Sequence, residues 1–204
     1  RGLEQGGRIE GVSAPDLIAL DLARLRSWQD EPEKGVVLLA RWIAAAGPRG
    51  TLLRDLFGLG RAKAPLTLAR ELEKLAGKRP RDATLLWYLG AALTEAGDQC
   101  RIEKKHDRAH TLYAEAVERM RRVIELNPAF KRNSQLYIVR SLAGRGWTAR
   151  AQGDTEEAGR FFLAALEENP ELRKTPDRLR LTPEKGIDLL TDDLHSADKY
   201  PEAI

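Results

Sequence analysis

The densest group of metal-ligating types in this 204-residue chain is Cys100, His106 and His110. Histidines four positions apart share one face of a helix, and with a thiolate they could take zinc. Only three ligands are present, and Lys104, Lys105, Arg101 and Arg108 surround them, which disfavours a dication. The segment therefore reads as a solvated helix extension, with no metal. His195 stands alone among acidic residues and reads as a surface side chain. No H-E-x-x-H, G-x-S-x-G or phosphate-binding loop occurs, and no G-x-G-x-x-G follows a strand. Gly58-Leu59-Gly60 lacks a third glycine and reads as a turn. Carboxylates are plentiful but fall on charged helical faces, where solvent leaves them ordinary. The sequence thus predicts neither an enzyme nor a cofactor.

Composition fixes the class of element that must carry any function. There are 31 Leu and 27 Ala, both strong helix formers, while β-branched residues are too few for a sheet core. Hydrophobic residues make up 42% and charged residues 32%, so the chain is too apolar for disorder and too interrupted for a membrane span. One cysteine excludes an internal disulfide framework. The chain starts at Arg1 and so reads as a processed or excised piece, which leaves cytoplasm and periplasm equally open. The net charge of +3 is unevenly placed: residues 1–60 are neutral, 61–181 carry +7 and 182–204 carry −4. The basic middle suits an acidic partner. Glu is interleaved throughout and no basic stripe alternates with aromatics, so nucleic acid is not predicted.

Apolar periodicity and capping residues divide the chain into helices. After a Gly-rich lead-in over 1–13, Ser13-Ala14-Pro15-Asp16 opens a helix whose inward stripe is Leu17, Leu20, Ala23 (or Leu22) and Leu25. A second helix runs from Pro32 to the stop at Gly47-Pro48. Further helices are expected over 50–58, 66–76 with Gly77 as its cap, 82–96 ending at Gly97, 103–127, 131–152 ending at Gly153, and 155–168. A last helix begins at Thr182-Pro183-Glu184, with Leu189, Leu190 and Leu194 as its apolar side. The fold class is all-α, with about nine helices.

Two stretches repeat. AVERMRRVIELNP (116–128) aligns with AGRFFLAALEENP (158–170), and Gly90/Gly97 upstream of the first match Gly146/Gly153 upstream of the second. Pro80-Arg81-Asp82-Ala83-Thr84-Leu85-Leu86-Trp87-Tyr88-Leu89-Gly90 has the spacing that leads from a closing proline into a next helix. In this pattern the chain resembles the tetratricopeptide repeat (TPR), clearest over 80–172. The departures are an insertion at 98–115, extra residues after Pro128, and Arg145 where an apolar residue is expected. The resemblance implies a right-handed α-solenoid of antiparallel helix pairs: degenerate repeats over 14–79, TPR-like repeats over 80–172, then a linker and capping helix over 173–204.

The resemblance also implies where a ligand would bind. The first helix of each pair lines a concave groove, which assigns Trp87, Thr94 and Glu95 from one repeat and Arg140, Trp147 and Arg150 from the next. Trp and Arg are common interface anchors, although the alternative for both tryptophans is packing between helices. The family's carboxylate clamp needs asparagines where Ala91 and Gly144 stand, so an acidic chaperone-type tail is not an expected ligand. The expected function is a non-catalytic scaffold or adaptor binding a protein or peptide, and an acidic one would suit the basic middle. The alternatives are self-association through helices 103–127 and 131–152, or a regulatory domain of a larger enzyme. The acidic last segment (Asp188, Asp192, Asp193, Asp198) is expected either to cap the stack or to lie across a basic groove as a lid.

Overall fold

A computed structural model describes residues 13–198, and for residues 194 and 196–198 the backbone alone. The expected lead-in, apart from Ser13, lies outside the described residues, as do 199–204 and the side chains of Leu194 and Asp198. Nine α-helices occur among the described residues, and no strand. The chain divides into two compact units, one up to Ala92 and the other from Leu93.

The first unit holds α1 (Ala14–Trp28), α2 (Pro32–Ala46), α3 (Gly50–Gly60), α4 (Pro65–Lys78) and the start of α5 (Ala83–Ile102). Its centre is α2, which packs against α1, α3 and α4 and buries Val36, Leu39 and Ile43. At the start of α1 the expected cap forms a capping box. The Ser13 hydroxyl accepts from the Asp16 N–H, and Asp16 accepts from the Ser13 N–H at 2.8 Å. Asp16 also accepts from Trp42 Nε1 of α2 at 2.8 Å and pairs with Arg49, so one buried carboxylate ties α1, α2 and the loop after α2 together.

The inward stripe of α1 differs from the expected one. Ala19, Leu20, Ala23 and Ser27 are buried, whereas Leu17, Leu22 and Leu25 are exposed. The cause is the closeness of α1 to α2. A Cβ at Gly35 would lie 2.5 Å from the carbonyl oxygen of Ala23, so the crossing requires small residues at that point, and the inward face runs along Ala19, Leu20, Ala23 and Ser27, which leaves Leu17, Leu22 and Leu25 outward.

The second unit holds the rest of α5, then α6 (His106–Leu126), α7 (Lys131–Ala151), α8 (Thr155–Glu168) and α9 (Pro183–Asp198). Here α7 is central and packs against α6, α8 and α9. The Asn-Pro pairs seen in the sequence close α6 and α8 in the same way. Asn127 and Asn169 each adopt extended backbone, and each side chain accepts from the N–H two residues on, opening a short 3₁₀ turn. Leu190 of α9 is buried, and α9 covers α8 and α7.

Several glycines have a different role from the one expected. Gly153 ends its helix with a φ of +83°, as predicted. Gly97 does not end α5, which continues to Ile102, and Gly77 and Gly58 also lie inside helices. Gly97 is instead a packing site. A Cβ there would come 2.6 Å from the Tyr113 ring of α6, and one at Gly144 of α7 would strike the same ring. One step along, the Phe162 ring of α8 lies between Gly146 of α7, at 2.7 Å from the added Cβ, and Gly186 of α9, at 2.5 Å. An aromatic ring clasped between two glycines therefore occurs twice, in α5–α6–α7 and in α7–α8–α9.

Gly144→Ala is expected to destabilise the protein by about 1–3 kcal/mol, because the rigid Tyr113 ring must move. Gly58→Ala, with open space around it, is expected to stabilise by about 0.5–1 kcal/mol. Urea unfolding of the two variants checks both. Hydrogen bonds from Ser13, then from Trp42, and the charge of Arg49 lower the Asp16 pKa from 3.8 to about 2. A lowered carboxyl stabilises the fold above its unfolded value, and the contribution is lost as pH falls through the folded one. The melting-temperature gap between wild type and Asp16→Asn is therefore expected to close between about pH 4 and pH 2.

Candidate interaction site

The residues assigned to a groove lie mostly inside the helix packing. In the first unit Trp87 is half-buried, with its ring edge-on to Tyr88 at 5.0 Å. In the second, Thr94 is fully buried and shares a hydrogen bond of 2.9 Å with Ser141 of α7. Glu95 is buried and accepts from Arg140 at 3.2 Å. Trp147 is buried, edge-on to Phe162 at 4.9 Å. Arg150 reaches solvent and pairs with Asp193 of α9 at 2.8 Å, so the basic end of α7 does meet the acidic last helix. The structure brings Thr94, Glu95 and Arg140 together, but as a contact between α5 and α7.

These residues belong to a larger buried polar network that the repeat pattern did not reveal. Arg140 also donates to Asp98 at 3.0 Å, and Asp98 accepts from the Tyr113 hydroxyl at 2.6 Å. Arg101 donates to that hydroxyl at 3.2 Å and pairs with Asp177 from the linker before α9. Asp177 in turn accepts from the N–H groups of Leu179 and Leu181, which folds the linker into a turn. Burial pushes the Tyr113 hydroxyl well above its usual pKa, with the Asp98 charge adding to it. Burial opposes the charge of Arg101, yet Tyr113 and Asp177 together hold it above its ordinary value. Burial also raises Asp177, against the pull of Arg101. With its groups facing one another, this cluster anchors the linker and fixes α5 against α7. Its one signal in the sequence is that Asp98, Arg101 and the linker Asp177 are charges without a surface pattern.

The three metal-ligating types do not form a donor set. Cys100 is fully buried, and burial raises its thiol pKa. His110 Nε2 faces Arg145 at 3.1 Å from its Nε, and Arg145 lies over the Phe161 ring at 3.9 Å. That stacking gives the arginine an apolar contact at a position where an apolar residue is expected from the sequence. No group of three or more His, Cys, Asp or Glu able to hold a metal occurs among the described residues. None of the described helices is long and apolar enough to cross a membrane.

The open apolar surface lies in the first unit, on α1 and α2. Ile18 is 61% exposed and Leu22 49%. With Pro15 and Ala19 of α1, and Val37, Leu38, Trp42 and Ala45 of α2, they line a groove of about 860 Å³. Its walls are mainly carbon and its rim carries Arg26, Lys34, Arg41 and Glu33. Arg26 and Lys34 both reach Glu31, at 3.2 Å and 2.5 Å, while Arg41 is exposed and has no ion pair among the described residues. Sequence reasoning missed this surface because it assigned the leucines of α1 to one inward stripe. The available signal was the run Leu17-Ile18-Ala19-Leu20-Asp21-Leu22, which puts apolar residues on every side of the helix. No protein-family model matches this chain, and no curated protein matches it.

Arg101→Met is expected to cost about 3–5 kcal/mol, because Asp177 is left buried without its cation, while Asp98 keeps Arg140. Arg150→Met, which breaks the solvent-exposed pair with Asp193, is expected to cost no more than about 1 kcal/mol. Denaturant unfolding of both variants makes the comparison.

Proposed function

We propose that the protein is a non-catalytic interaction module that receives an apolar helical segment of a partner protein in the groove between α1 and α2. The observation that supports this is the exposed apolar lining of that groove. Two helices with an open furrow of carbon atoms between them form the usual seat for a third amphipathic helix. The rim favours a partner with acidic residues beside its apolar stripe, since Arg41 has no ion pair among the described residues and Arg26 and Lys34 share a single carboxylate. An acidic partner also suits the expected adaptor role. The apolar residues make the contact energetically useful and the basic rim sets its orientation.

We read the helix pairs of the second unit as a diverged TPR-like array. The matching Asn-Pro closures of α6 and α8 and the recurring glycine-aromatic clasp favour this reading. In such an array α9 acts as the cap, which fits its cover over α7 and α8.

A 20-residue helical peptide with a leucine stripe flanked by glutamates tests the groove by calorimetric titration. The expected result is saturable binding with a Kd of about 1–100 μM, weakened at least about tenfold by Val37→Asp or by Arg41→Glu. Absence of binding, or equal affinity in Val37→Asp, contradicts the reading. Binding lost on Trp147→Ala/Arg150→Ala and kept in Val37→Asp places the ligand on α7 instead.

A further inference from the structure

The second exposed face of α1 lies beside the groove and carries an ordered pattern. Leu17, Asp21, Arg24 and Trp28 follow one another at i, i+4, i+7 and i+11, so they form a single stripe along the helix. All four are open to solvent: Trp28 is 78% exposed, and the Asp21 and Arg24 side chains 74% and 49%. Within the chain Asp21 and Arg24 approach only to 3.6 Å, an exposed pair that stabilises little. Leu25 lies alongside and is also exposed. A helix that is apolar on its outer as well as its inner side is expected to be covered on both.

The stripe reads the same from either end: apolar, charged, charged, apolar, with the two charges opposite in sign. That order is self-complementary under a two-fold axis crossing α1 between Leu22 and Ala23. Two α1 helices laid antiparallel then set Asp21 of each against Arg24 of the other, and Leu17 of each against Trp28 of the other. A two-fold contact requires this exchange, in which residue i meets j and j meets i. Parallel pairing places Asp21 against Asp21 and Arg24 against Arg24, which is repulsive.

We propose that this stripe pairs two copies of the chain through antiparallel α1 helices. The occupant follows from charge order as well as from exposure. A partner of unrelated sequence has no reason to match acid and base at this spacing in reverse. The proposal goes beyond the groove reading and does not depend on it, because the stripe and the α2 wall of the groove are different surfaces. Self-association through helices 103–127 and 131–152 is the alternative read from the sequence, whereas the stripe points to α1.

The test is the mass of the full chain by analytical ultracentrifugation over a concentration series. Wild type is expected to show a monomer–dimer equilibrium. Asp21→Arg and Arg24→Asp are each expected to weaken it at least about tenfold, since each sets like charges together twice across the axis. Both substitutions lie on exposed side chains, and circular dichroism checks that helicity is unchanged. An equimolar mixture of the two variants is expected to recover dimer, as a heterodimer in which both pairs are again opposite in sign. A wild type that is monomeric throughout overturns the proposal, including the case where removing residues 1–12 makes it dimeric, which gives the stripe an occupant from its own chain. A dimer unaffected by either reversal, or a mixture that stays monomeric, also overturns it. Peptide binding in the groove, read with Val37→Asp, is a separate result, so the two readings can fail independently.

Discussion

The close approach of helices across residues that lack a side chain is the constraint on which the rest of the structure depends. Tyr113 fits because Gly97 and Gly144 leave room for its ring, and Gly146 and Gly186 do the same for Phe162. In the first unit the equivalent contact is Ala23 against Gly35. Packing at this distance leaves no slack for a methyl group, so each clasp sets both the spacing and the rotation of its helices. Those rotations then decide which residues are left facing solvent.

The two units use the constraint differently. In the second, the clasp around Tyr113 brings its hydroxyl to Asp98 and Arg101, and the ring becomes the centre of a buried charge network that reaches the linker through Asp177. Buried ion pairs add little net stability over an apolar core, but they penalise any arrangement that separates them. Here they specify how α5, α7 and the linker meet. In the first unit α1 and α2 meet closely at Ala23 and Gly35, and the rotation this sets leaves Leu17, Ile18, Leu22 and Leu25 outward as an open apolar surface. The same physical cause thus gives one unit a closed interior and the other a face available for contact.

The helices were legible in the sequence because their signals are local. Ser13, Pro32, Asn127-Pro128, Gly153 and Asn169-Pro170 mark helix ends through backbone chemistry that needs no tertiary partner. What glycine does inside a helix was not legible. Gly97 and Gly153 look alike in the chain, but only the Tyr113 ring, supplied by another helix, explains why the first is a packing site and the second a cap. The surroundings of the residues assigned to a groove were not legible for the same reason. Sequence spacing indicates which helix carries Thr94, Glu95 and Arg140, and it does not reveal that their partners are one another and Ser141. The surface on α1 was hidden by a reasonable assumption, that leucines face inward. It fails for Leu17, Leu22 and Leu25, because the close approach at Ala23 and Gly35 sets a rotation of α1 that buries Leu20 and leaves these three outside.

Rate of hydroxyl-radical labelling of the four tryptophans, measured across a concentration series, tests this account most directly. It predicts that Trp28 is labelled rapidly in dilute solution and becomes protected as concentration rises, while Trp147 stays slow throughout. Labelling of Trp147 as fast as that of Trp28, or protection of Trp28 at the lowest concentration, would contradict it.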